Sequence, residues 1–165
     1  MPGVFVTVGT TSFDALVEAL DTAEAYAALA AHGYDSVVFQ IGRGSYEPQG
    51  ADSSLAVTHY RYNTAYQDDI GAATLVISHA GAGTIMDVLG QRKHLIVVPN
   101  TQLMDNHQME LATALAERHH LLQATVATLP AVLKSMAWDS IVPYPPVDEE
   151  AFPALVDAVM TGKLA

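Results

Sequence analysis

Apolar residues in this chain come in short unbroken runs separated by stretches of helical spacing. Residues 4–8, 36–41, 74–78 and 94–98 are rich in Val, Ile and Phe, which suits strands buried on both faces of a parallel sheet. Residues 55–62 alternate as a strand does, and 121–124 make a last short one. Between them the spacing predicts helices. An Ala/Leu-rich helix covers 13–31 and ends near His32-Gly33, and a short one over 64–70 turns Tyr66 and Ile70 to the core. Residues 84–89 form a third, stopped by Gly90, and 106–119 a fourth with Met109, Ala112 and Leu115 or Ala116 on one side. Thr128-Leu129-Pro130 opens a helix to about Met136, and 152–160 carries an apolar stripe of Phe152, Leu155, Val156 and Val159. Strands alternating with helices imply right-handed crossovers and a mostly parallel sheet. The expected fold is α/β, a single Rossmann-like domain over 1–136, followed by a Pro- and acid-rich linker and helix over 137–165.

Two junctions carry candidate chemistry. The strand over 74–78 ends in His79-Ala80-Gly81-Ala82-Gly83-Thr84, where small residues let the chain turn tightly and leave N–H groups uncovered at the start of a helix. That is a place to hold an anion. Asp87 follows Thr84 by one helical turn, so both can face the crevice mouth, where a carboxylate can accept two hydrogen bonds from a ribose diol. A solvated helix acid is the plainer reading. The first strand ends in Gly9-Thr10-Thr11-Ser12, which suits a phosphate or an ordinary helix cap equally, with Thr11 and Asp14 spaced as a capping box. After the fifth strand, Pro99 opens a polar loop to Asp105, Asn106, His107 and Gln108. Asp105 reads as an N-cap or as a ligand to sugar hydroxyls, together with His107 and Gln108. The two consecutive strand ends, after 78 and after 98, are expected to face one crevice at the carboxyl edge of the sheet.

Composition narrows the partners. The chain has 165 residues, half of them hydrophobic, so it can bury a substantial core. Its net charge is −11, from 7 Lys and Arg against 18 Asp and Glu, which argues against nucleic acid or anionic lipid as a partner. Any phosphate must be held mainly by backbone N–H groups and helix N-termini. There are no cysteines, hence no disulfide or thiolate metal site. The seven histidines show no HExxH-type spacing, so no metal or other cofactor is expected. Met1 to Val6 lacks a signal-peptide pattern, and no apolar run approaches the roughly 20 residues that span a bilayer. His119-His120 at a helix end favours the helix dipole. Arg43, between two glycines, is a candidate phosphate or partner contact, with a solvated loop arginine as the plainer reading. No nucleophile stands out.

Several segments together carry a resemblance: VFVTVGTTS over 4–12, QIGRG over 40–44, Tyr60-Arg61-Tyr62, VISHAGAGT over 76–84 and NHQMEL over 106–111. They resemble the soluble catalytic subunit of the eukaryotic two-chain UDP-N-acetylglucosamine transferase. More distantly, the chain is similar to the C-terminal, donor-binding half of GT-B glycosyltransferases of the family 28 type. The resemblance implies an inverting enzyme that moves GlcNAc from UDP-GlcNAc to GlcNAc-pyrophosphoryl-dolichol, forming a β1,4 link. It also implies a membrane-anchored partner subunit at the cytosolic face of the endoplasmic reticulum. By position, His79, Gly81, Gly83 and Thr84 would meet the donor pyrophosphate, with His79 stabilising the leaving group. Asp87 would bind the ribose, commonly a Glu in the wider superfamily. Asp105, His107 and Gln108 would hold the donor sugar, and Gly9, Thr10 and Thr11 would face the pyrophosphate and the acceptor side.

A GT-B enzyme needs a second half for its acceptor, and 165 residues leave no room for one. The acceptor site, and any general base, would then lie on the partner, for which the stripe over 152–160 is a candidate docking face, with packing back on its own domain as the equal alternative. A bacterial-type two-chain transferase with an undecaprenyl acceptor and a noncatalytic nucleotide-sugar-binding module remain the alternatives.

Overall fold

Six parallel strands and six helices make up the computed structural model, which describes residues 2–51, 53–100 and 106–143, of which 106–108 by backbone only. In chain order these are β1 (Gly3–Thr7), α1 (Asp14–Leu20), α2 (Ala23–Ala31), β2 (Ser36–Gln40), β3 (Ala56–Tyr60) and α3 (Tyr66–Ala72). There follow β4 (Leu75–Ser78), α4 (Ala82–Gly90), β5 (His94–Val97), α5 (Asn106–Glu117), β6 (Leu122–Gln123) and α6 (Leu129–Ser135). The strands lie in the order β3-β2-β1-β4-β5-β6, every pair parallel.

The unbroken apolar runs are explained by cover on both faces. One core holds Leu16, Val17, Leu29, Leu129 and Leu133 from α1, α2 and α6 against Val4, Val6, Val37 and Ile77. The other holds Ile70, Ile85, Val88 and Leu115 from α3, α4 and α5 against Phe5, Val76 and Leu95. Alternate residues of a strand enter opposite cores, as Val4 and Phe5 do, so the inner positions of the central strands are apolar on both faces and polar residues fall at strand ends. β3, at the sheet edge, is largely exposed, which accounts for its alternating sequence.

Two expectations are corrected here. The helix foreseen over 13–31 is two helices, because Thr22 takes an extended conformation and accepts the Ala25 N–H on its hydroxyl at 3.1 Å, capping α2. Thr11 and Asp14 do not form a capping box. The Thr11 hydroxyl donates to the Val8 carbonyl (2.9 Å), and Asp14 accepts from the Ser45 N–H (3.1 Å) across to the loop after β2. Beyond α6 the chain runs back over the domain: Trp138 stacks on His94 at 4.2 Å, and the Val142 N–H donates to the His119 carbonyl at 2.7 Å. The linker from 144 and the stripe over 152–160 lie outside the described residues.

Candidate functional site

The helices after β1 and β4 lie on opposite faces of the sheet. Strand order reverses between these two neighbours, and their following loops part. That is the switch point at which open α/β sheets bind ligands. A cleft of about 570 Å³ opens there. Gly9 and Thr10 line it from the β1 loop, His79 and Gly81 from the β4 loop, and Gly83, Thr84 and Asp87 from α4. The structure therefore gathers seven of the sequence-selected residues in one place.

Polar groups sit where the strands end. Thr7, Gln40 and Ser78, the last residues of β1, β2 and β4, are buried and in register across the sheet. Gln40 holds both sides of the Gly9 residue: its Oε1 accepts the Gly9 N–H at 3.0 Å and its Nε2 donates to the Gly9 carbonyl at 2.8 Å. The same amide donates to the Arg61 carbonyl (2.7 Å) and accepts from the Thr7 hydroxyl (2.5 Å). Every hydrogen-bonding atom of this buried amide thus ties a cleft loop to the sheet. Gly9 has φ +66°, the left-handed region open to glycine.

His79 stands between two glycines. A Cβ on Gly9 would lie 2.7 Å from its Cε1, and one on Gly81 would lie 2.5 Å from its Nε2. The ring fills the space that both side chains vacate. Burial holds the His79 imidazole below its ordinary pKa, with the nearby Thr7 carbonyl offsetting part of that effect. Its Nδ1 is buried and makes no hydrogen bond of good geometry. At neutral pH the ring is uncharged. Beside it, α4 begins at Gly81 with no side chain capping its first N–H groups, leaving these donors for an anion.

At the other end of the cleft, the Tyr66 hydroxyl donates to Asp87 Oδ2, linking the start of α3 to α4. Tyr62, Asn63 and Thr64 complete that wall. Sequence reasoning did not select these residues or Gln40. Gln40 and Tyr62 stand in segments that carry the family resemblance, but nothing local gave either a role in the site. The Tyr66–Asp87 pair spans two helices that no spacing rule connects.

Other candidates fall elsewhere. Thr11 turns back onto Val8, and its carbonyl accepts the Arg43 N–H at 3.0 Å. Arg43 is exposed on the β2 loop, outside the cleft lining. Pro99 and Asn100, after β5, line a second cavity of about 840 Å³ with Ser12, Phe13 and Thr128. Among the described residues the cleft lies between the ends of β1 and β4, where the direction of winding changes, and the loop from 101 to 105 that was expected to join it lies outside those residues. Asp105 lies outside the described residues. His107 and Gln108 are in the first turn of α5, by backbone. Among the described residues no group of three or more His, Asp or Glu side chains is placed to hold a metal, and no helix is long and apolar enough to cross a membrane.

A parallel doubly wound sheet with a glycine-lined cleft and an uncapped helix N-terminus at its switch point is the architecture of a nucleotide-binding α/β domain. The chain belongs to the glycosyltransferase family 28 C-terminal domain family, whose model matches residues 3–158. It is similar to the UDP-N-acetylglucosamine transferase subunit ALG13 of Homo sapiens, at 44% identity over 140 residues, covering 83% of this chain and 12% of the human protein. The same-named subunit of Yarrowia lipolytica is 37% identical over 119 residues, covering 70% of this chain and 61% of its own length. That of Eremothecium gossypii is 32% identical over 186 residues, covering 94% and 92%. The chain thus spans a small fraction of the human relative and most of the Eremothecium one. Among solved structures, the NMR structure of ALG13 superposes with a TM-score of 0.74 at 26% identity, covering 97% of this chain and 98% of that one. Acinetobacter baumannii MurG gives 0.67 at 21% identity over 98% of this chain and 50% of its own, a likeness of fold.

Proposed function

We propose that this chain is the donor-binding half of an inverting, two-chain glycosyltransferase. It takes GlcNAc from UDP-GlcNAc and delivers it, with a membrane-anchored partner, to GlcNAc-pyrophosphoryl-dolichol as a β1,4 link. The observation that carries this reading is the switch-point cleft, in which a backbone anion site and Asp87 lie together within a chain of this family. The names of its relatives, transferase subunits for UDP-N-acetylglucosamine, favour the donor and a partner.

In this reading the uncapped start of α4 and the Gly9 loop receive the pyrophosphate, and Asp87 accepts from the ribose. Asp105, His107 and Gln108 hold the sugar. His79 is placed by the two glycines to donate to the departing diphosphate. Charge on the leaving UDP is then met by fixed donors with no metal required. The acceptor hydroxyl attacks from the opposite face, so the α-linked donor gives a β product, with the acceptor site and general base on the partner. The stripe Phe152, Leu155, Val156 and Val159 supplies the docking face that recruits the chain to the cytosolic side of the endoplasmic reticulum.

The test is transfer of labelled GlcNAc from UDP-GlcNAc to a GlcNAc-pyrophosphoryl-lipid, by this chain alone and with the membrane subunit of a two-chain transferase. Activity is expected only with both. Truncation after Asp148 is expected to abolish co-purification with the partner. An associated pair that transfers nothing to dolichol- or undecaprenyl-linked acceptor would leave a nucleotide-sugar-binding module as the function.

A further inference from the structure

Asp87 does not stand alone in the cleft. The Tyr66 hydroxyl, on the first residue of α3, donates to Asp87 Oδ2, and Thr84 lines the wall beside them. All three line the same cavity. Thr84 is buried and Asp87 half-buried, one turn apart on α4, so the tyrosine bridges two helices at the cleft wall. Burial, and then the bond to Asp87, push the Tyr66 phenol up to about 12, so it keeps its proton and remains the donor in this pair.

The hydrogen-bond inventory of this arrangement is specific. A phenol oxygen both donates its one proton and accepts. Here the proton is committed to Asp87, which leaves the phenol oxygen as an acceptor for a ligand. The carboxylate is acceptor-only and retains free sites on both oxygens. The pair therefore offers a ligand two adjacent acceptors from two different residues and no donor. A cis vicinal diol offers two adjacent donors.

We propose that Tyr66 and Asp87 form one recognition unit for the ribose diol of the nucleotide, in which the 3′-hydroxyl donates to the carboxylate and the 2′-hydroxyl to the phenol oxygen. This rests on the nucleotide-sugar reading of the cleft and extends it to a residue on a different element. Tyr66 is here a specificity-determining residue. A tyrosine that only fastened α3 to α4 would affect every ligand of the cleft alike, whereas a diol-reading tyrosine affects only those that carry both hydroxyls.

The experiment compares binding of UDP and 2′-deoxy-UDP to the full-length chain by amide chemical-shift titration, for the wild type, Tyr66→Phe and Asp87→Asn. Tyr66→Phe removes one oxygen and keeps the ring, and melting temperatures report whether the fold is retained. The wild type is expected to prefer UDP by roughly tenfold, as one lost hydrogen bond to a charged or polarised partner implies. In Tyr66→Phe that preference should collapse to about twofold or less while 2′-deoxy-UDP binds as before. Asp87→Asn should weaken both nucleotides, because an amide replaces one acceptor oxygen by a donor at the 3′-hydroxyl that each of them carries. Unchanged preference in Tyr66→Phe, or an equal loss for both nucleotides, overturns the recognition unit. A wild type that binds UDP without discriminating against the deoxy form removes ribose reading from this wall and leaves the donor assignment intact. A wild type that binds neither overturns the nucleotide-sugar reading itself.

Discussion

His79 and its two glycines show how a single ring dictates its neighbours. Gly81 has φ −71°, which any residue adopts, so its lack of a side chain answers only to the 2.5 Å approach of the imidazole. Gly9 answers to both the ring and its own left-handed backbone. The two cases separate by mutation. Gly81→Ala is expected to destabilise the fold by about 1–3 kcal/mol through overpacking, and the penalty should vanish when His79→Ala is present. Gly9→Ala should keep roughly 1 kcal/mol of its cost in the same background, because the backbone strain remains. Chemical denaturation of the single and double variants measures this coupling. The sequence made His79, Gly81 and Gly83 legible as a strand-end turn, since two glycines beside a histidine are not what a core requires. It did not reveal that the ring itself demands the glycines, which is a matter of three-dimensional distance.

Among the elements, the break between α1 and α2 is the instructive one. Alanine and leucine continue through 13–31 with no proline or glycine, and propensity alone favours one helix. The chain breaks because Asp21 is drawn out to serve the β2–β3 loop. Its carboxylate accepts from Tyr26 and Tyr46 hydroxyls, both at 2.6 Å, and from the Gln49 and Gly50 N–H groups at 2.8 and 2.9 Å. These bonds hold the Asp21 carboxyl below the usual carboxylate range, although burial works against them. Arg61 fastens the same loop, donating to the Gly42 and Gly44 carbonyls at 3.2 and 2.6 Å. Asp21→Ala is expected to cost about 2 kcal/mol, the order of a few charge-assisted hydrogen bonds at a half-buried position. Amide exchange should rise at Gln49 and Gly50 while the β1 and β4 amides stay protected. Local pattern could not disclose this, because three of the four groups that bond Asp21, on Tyr46, Gln49 and Gly50, lie more than twenty residues along the chain.

For the whole molecule, two histidines make stability depend on pH in a definable direction. Burial lowers the pKa of His79 at the cleft and of His94, which stacks on Trp138. Both are therefore below the unfolded value of 6.5 in the folded state, and the unfolded chain binds more protons just under that pH. Their contribution is complete above pH 6.5 and is lost as pH falls through the folded values. Melting temperature is expected to drop as pH falls below 6.5. His94→Phe, which keeps the stack on Trp138, should flatten part of that slope, and a profile that remains as steep would remove His94 from the linkage.

The order of strands and helices, the parallel sheet, its double cover and the glycine-rich turn after β4 were determined by the sequence itself, because burial periodicity and turn chemistry are local properties. So was membership of the glycosyltransferase family 28 C-terminal domain family, carried by short segments most of which stand at strand ends. Tertiary structure alone decided which strand ends share a cleft. The reversal of winding between β1 and β4 sends α1 and α4 to opposite faces and parts their loops there, and strand order is not written in any local stretch of residues. It also decided that Gln40 from β2 secures Gly9, and that Tyr66 from α3 meets Asp87 from α4. Both are hydrogen bonds between groups that come within reach only when the sheet has assembled.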